Sequence, residues 1–127
     1  MAKKEFLFKG KSAEELKAMS VQEYAKLIPS RLRRSLNRGY DVQQKSLLKN
    51  IEKGKDNIKT HSRDMPILPC MIGKTIKVYS GKDFVDVKVT VEKMGHMLGD
   101  FVLTRKQTKH SSPGVGASKS SKSASVR

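Results

Sequence analysis

Arg31, Arg33, Arg34 and Arg38 are the densest basic cluster in the chain, and no acid lies between Glu23 and Asp41 to balance them. A guanidinium is a planar fork of donors that matches phosphate oxygens, so the chemistry this cluster suits is contact with a polyanion. A solvated helix face is the alternative, but it would lack local counterions. Lys45, Lys49, Lys53 and Lys55 extend the basic character, although lysines on a helix serve equally well as solubilising surface. Catalysis and metal binding have no comparable support. His61, Cys70, His96 and His110 include no closely spaced pair of the zinc-ligand kind, so neither a metal nor a cofactor is expected. Gly73-Lys74-Thr75 looks like the end of a phosphate loop, but that pattern needs glycine where Leu68 stands and a helix where this chain continues as a strand. There is no G-x-S-x-G elbow, and the carboxylates are scattered, so the chain is not expected to be an enzyme.

The excess of positive charge is chain-wide: 27 Lys+Arg against 12 Asp+Glu give +15 on 127 residues. Six basic residues and no acid from Arg105 to Arg127 leave +9 on residues 1–104. Folded part and tail therefore both face a phosphate-rich partner. The length allows one small domain with appendages, and a core of about 100 residues buries only roughly 60–65% of its unfolded surface. With no Trp, 4 Phe and 3 Tyr, little aromatic mass is available for a deep ligand pocket. The longest apolar run, Ile67 to Ile72, is interrupted by Pro69 and falls far short of the ~20 residues that cross a bilayer. Met1-Ala2-Lys3-Lys4 is followed by Lys9 and Lys11 in place of an apolar stretch, so no signal peptide is expected. No long helix sets an apolar face against a basic one, so no membrane partner is expected either. A single cysteine excludes an internal disulfide and fits a reducing cytoplasm.

The elements that position these residues change character along the chain. Ser12-Ala13-Glu14-Glu15, Ser20-Val21-Gln22-Glu23 and Asp41-Val42-Gln43-Gln44 are capping-box signals, each opening a run with helical spacing. Pro29 interrupts the helical stretch, while Gly39 and Gly54 suit helix ends. Residues 12–54 are thus expected to form three or four short helices, with Leu32 and Leu36 on one face of the arginine-rich one. The period then becomes two: Ile76 and Val78, then Val85, Val87 and Val89, flank Ser80-Gly81-Lys82-Asp83 as a β-hairpin. Ile58 to Arg63 is read as a third strand, and Met94 to Phe101 as a compact turn or short helix. The fold class is α+β, a small three-stranded, mostly antiparallel sheet with N-terminal helices alongside. The Ser, Gly, Lys and Ala composition beyond Arg105 predicts a basic tail that is disordered on its own. The apolar faces of the hairpin and of the turn around Gly95 and Gly99 are expected to share one core with Leu47, Leu48 and Ile51.

Three blocks carry a resemblance. They are Lys59-Thr60-His61-Ser62-Arg63-Asp64-Met65-Pro66-Ile67-Leu68-Pro69, Val78-Tyr79-Ser80-Gly81-Lys82, and Gly95-His96-Met97-Leu98-Gly99-Asp100-Phe101-Val102-Leu103-Thr104-Arg105. In order and spacing they resemble the small-subunit ribosomal protein nineteen family, and Arg34 to Gly39 with the Leu47-Leu48-Lys49 helix extends the likeness to residues 34–105. The extra segment 1–33 and the tail around Lys109-His110-Ser111-Ser112-Pro113-Gly114 look like the archaeal and eukaryotic branch, the shorter N-terminus like its archaeal members. The resemblance implies three parts: a helical extension (1–33), the α+β core (34–105) and a basic Ser/Gly-rich tail (106–127). It also implies a cytoplasmic place in the head of the small ribosomal subunit. Its expected partners there are small-subunit ribosomal RNA, neighbouring protein thirteen and, near the tail, tRNA, with no self-association. The residues expected to face RNA are Arg31, Arg33, Arg34, Arg38, Lys45, Lys49, Lys59, His61, Arg63, Lys82, His96, Arg105, Lys106, Lys109 and His110. Of these, Arg34, Arg38, Lys59 and Arg63 are expected to bind phosphates without reading bases. A free-standing basic nucleic-acid binder or RNA chaperone is the alternative reading.

Overall fold

The computed structural model of the chain describes residues 4–109, and the tail expectation for 110–127, with His110, lies outside them. Among the described residues there are four α-helices: α1 (Ala13–Ala18), α2 (Val21–Leu27), α3 (Ser30–Arg38) and α4 (Val42–Glu52). They precede three strands: β1 (Ile58–Thr60), β2 (Thr75–Tyr79) and β3 (Phe84–Lys88). The first two helices start where the capping boxes lie. Ser12 and Glu15 bond reciprocally, as do Ser20 and Glu23, so orphan amides at each helix start are satisfied by side chains. At the third box the Asp41 amide donates to Gln44 Oε1 at 3.2 Å. Helix α4 ends in a Schellman motif: Gly54 N–H donates to Ile51 O at 3.1 Å and Lys55 N–H to Asn50 O at 3.2 Å. Gly54, at φ +63°, occupies the left-handed position that this ending requires.

The sheet has the order β1-β2-β3. β2 and β3 pair antiparallel over five residues, Thr75↔Lys88 to Tyr79↔Phe84, about the expected turn, where Ser80 N donates to Asp83 O at 2.8 Å. β1 pairs parallel with β2, with Ile58 opposite Ile76 and Thr60 opposite Val78, so the sheet is mixed, its longer pairing antiparallel as expected and its shorter one parallel. The reason is the connection. Residues 61–74 carry Met65, Ile67, Leu68, Met71 and Ile72 through the core. That returns the chain to the start of the sheet, the kind of crossover that parallel neighbours need. β1 is also shorter than the strand read from Ile58 to Arg63. The Ser62 amide bonds Thr60 Oγ1 at 3.1 Å, and the chain turns there.

One cluster of buried side chains unites helices, crossover and sheet: Leu47 and Ile51 meet Ile76, Val78, Val87, Met94 and Leu98, with Leu48 half-buried beside them. Val85, at the turn end of the hairpin, stays exposed although its alternation placed it with Val87 and Val89. Residues of the N-terminal segment belong to the same cluster, among them Leu16, Tyr24, Ile28 and Leu32. The Tyr24 hydroxyl donates to Ile67 O at 2.8 Å and accepts from Gly95 N at 3.2 Å. Burial pushes its pKa up to about 12.

Candidate nucleic-acid interface

Helix α3 sorts its basic residues by direction. Leu32 faces the core with Leu36 half-buried, and Arg31, Arg34 and Arg38 follow at i, i+3 and i+7 on the exposed side. With Ser30 and Ser35 they line a shallow concavity of about 520 Å³. Arg31 and Arg38 also border a second one of about 370 Å³, shared with Tyr40, Gln44, Asp64 and Met97. None of these three guanidinium groups has a hydrogen-bond or ion-pair partner among the described residues. Guanidinium groups carried on one exposed helical face suit the oxygens of a charged backbone.

Two other candidates have an internal role that the sequence did not disclose. Arg33 turns back over the end of α2, with Nε donating to Ala25 O at 2.9 Å and Nη2 to Ile28 O at 3.1 Å and Lys26 O at 3.3 Å. It caps carbonyls left open where Pro29 prevents the helix from continuing. Arg63 is half-buried and donates to Tyr79 O at 2.7 Å, to Gly99 O at 2.8 Å and to Val102 O. It ties the end of β2 to the 3₁₀ turn Leu98–Phe101. Its main chain lies so close to that turn that a Cβ on Gly99 would stand 2.8 Å from Arg63 O and 2.9 Å from Arg63 Cβ.

The remaining candidates are distributed over the surface. Lys45 and Lys49 are exposed one turn apart on α4, and Lys82 is exposed in the hairpin turn. Exposed Lys59 holds its ammonium 5.4 Å from the Phe84 ring centre, and exposed His61 lies 4.5 Å from the Tyr79 ring. His96 is exposed, with its ring edge-on to Phe101 at 5.6 Å, its Nδ1 3.8 Å from Asp100 Oδ2 and its carbonyl accepting from Ile67 N. Arg105, Lys106 and Lys109 are exposed beyond the core. The sequence reading passed over Tyr79, Phe84 and Lys77, which share the outer sheet face with Lys59. The signal was present, since across the four-residue turn 80–83 odd positions of β2 pair with even positions of β3, which puts Lys77 and Tyr79 beside Asp86 and Phe84.

Among the described residues no three His, Cys, Asp or Glu side chains gather as metal ligands, and no helix is long and apolar enough to cross a membrane. Fold and surface define a small, strongly basic α+β binding module. Comparison with known proteins makes this specific: the family described as Ribosomal protein S19 matches residues 34–110. The chain is 49% identical over 119 residues to the small ribosomal subunit protein uS19 of Thermoplasma volcanium, covering 94% of this chain and 79% of that one. Over the same shares it is 47% identical to the proteins of that name in Thermoplasma acidophilum and Picrophilus torridus. The chain belongs to the S19 family of ribosomal proteins, a family with a structural role and no catalytic one. These relatives are archaeal, in line with the branch its terminal segments suggested.

Proposed function

We propose that the chain is a structural constituent of the small-subunit head, holding ribosomal RNA there through phosphate contacts. Its place is within the small subunit, as the name of its relatives says for them, and so in the cytoplasm. The observation that carries the reading is the outward row of Arg31, Arg34 and Arg38, unengaged by the protein's own groups among the described residues. Lys45, Lys49, Lys82 and Arg105 add exposed cations to that reading. Arg33 and Arg63 contribute by holding the fold that presents them. Residues 34–105 form the RNA-facing core on this view, with 1–33 as its helical extension. The arm 106–127 reaches toward tRNA, and protein thirteen of the subunit is the neighbour.

Sedimentation tests it. A tagged chain in a cell extract should travel with small subunits through a gradient at moderate salt. A chain left near the top, or spread over nucleic acid of every size, points instead to a free-standing binder. Deleting residues 106–127 should leave incorporation intact and weaken tRNA retention on the subunits. Truncated subunits that hold tRNA like the parent would remove the arm's assigned role.

A further inference from the structure

The two faces of the sheet are built differently. Ile76, Val78 and Val87 are buried on one. The register puts Lys59, Lys77, Tyr79 and Phe84 on the other, and His61 lies just beyond β1. Among the described residues this outer face stays open: Lys59 and His61 are exposed, and Lys77, Tyr79 and Phe84 are only half-buried. The rings touch one another, His61 to Tyr79 at 4.5 Å and both to Phe84 at 5.2 Å. Of the 4 Phe and 3 Tyr only Tyr24 is fully buried, so what sets this face apart is that its rings touch one another beside exposed lysines. The one acid facing this way in the strands, Asp86, stands 4.0 Å from Lys77, so Lys59 and exposed Lys88 keep the face positive.

Rings and cations side by side suit a ligand that offers π-faces and negative charge together. Unpaired nucleotides do so, because their bases stack on aromatic rings while their phosphates meet lysines. A duplex keeps its bases stacked on each other, and a purely apolar protein segment has no use for the lysines. We propose that the outer face of the sheet is a stacking platform for unpaired bases of RNA. Tyr79, Phe84 and His61 take base faces, and Lys59 and Lys88 take the flanking phosphates. The inference rests on the RNA-binding reading above and deepens it by giving this face single-stranded segments, while α3 takes backbone.

The chain has no Trp, so Tyr79→Trp creates a single fluorescent reporter that is still a stacking ring. The full-length variant is titrated with single-stranded RNA of about eight nucleotides, within the usual site size. A duplex of the same length and an abasic ribose–phosphate oligomer serve as comparisons. Single-stranded RNA should quench the reporter at concentrations where the other two do not, and Phe84→Leu in the same background should weaken that binding about five-fold or more. His61→Ala, at an exposed ring, repeats the test should the Phe84 variant fail to fold. Equal quenching by the abasic oligomer overturns the proposal, as does unchanged affinity in variants that melt like the parent. Quenching by an acidic aromatic peptide with none by RNA assigns the face to a protein partner and overturns it too. Salt-sensitive binding of all three oligomers without a base-dependent part sinks the platform and leaves the phosphate reading standing, whereas no binding to any of them sinks both.

Discussion

The arginines of α3's outer face and those that turn inward carry the same group to opposite ends. Arg34 follows Arg33 directly, yet Arg33 closes the end of α2 with three carbonyl bonds, while Arg34 projects from the exposed side with Arg31 and Arg38. Arg63, inside a recognisable motif, behaves like Arg33 and binds three carbonyls from two elements. The fork that fits a phosphate fits converging carbonyl oxygens equally well. A count of basic residues therefore overstates the surface offered to RNA. What distinguishes the two groups is whether the main chain runs out of its own partners within reach of the side chain.

The sharpest way to break this division is Arg63→Ala. It leaves three carbonyls without their charged donor and should lower unfolding free energy by about 3 kcal/mol in a urea titration. Arg63→Lys should recover little, because one ammonium cannot span the same fork. Full stability in either variant would return Arg63 to the RNA-binding set. Gly99→Ala attacks the same junction from the other side. A methyl placed within 3 Å of the Arg63 main chain should cost about 2 kcal/mol, as overpacking does, with the arginine itself untouched.

Tyr24→Phe probes whether the N-terminal segment is anchored by polar contacts as Arg63 anchors the sheet. Ile67 O and Gly95 N would lose their partner, at about 1–2 kcal/mol. The parent should also lose stability in alkali. Its phenol ionises near 10 when unfolded and near 12 when folded, so the folded state holds the proton more tightly. That contribution is complete below pH 10 and declines as pH rises toward and through 12. Thermal melts of Tyr24→Phe should lack this part of the alkaline decline.

Arg33→Ala should cost about 1 kcal/mol, since the carbonyls it caps are partly open to water. Arg34→Gln and Arg38→Gln should leave stability within about 0.5 kcal/mol. Each should instead flatten the log–log salt dependence of RNA binding by about 0.7–0.9 per lost phosphate contact. A shift in sequence preference with an unchanged slope would make these residues base readers. If Arg33 and Arg34 variants gave the same pair of readouts, the distinction between them would collapse.

Much of this was legible in the chain. The first two capping boxes mark their helix starts because the side chains that satisfy the amides lie within three residues. Gly54 marks the end of α4 because few other residues take its φ readily. The hairpin follows from alternation about a turn. β1 was read as a strand, although three residues too long, but its parallel direction was not, because its partner arrives only after the crossover through Ile67 and Met71.

What the sequence by itself determined is whatever depends on neighbours along the chain: the helix ends, the hairpin, the +15 charge and the motif blocks that placed it in its family. The tertiary structure alone decided which arginines project outward and which hold carbonyls. It also decided that Tyr79 and Phe84 meet His61 on an open sheet face and that Tyr24 bridges residues 67 and 95. Most of these rest on groups far apart in the chain, and direction is settled only when packing fixes which side of a helix or strand is buried. A guanidinium or a ring carries its chemistry in its formula, but its partner is chosen by the fold.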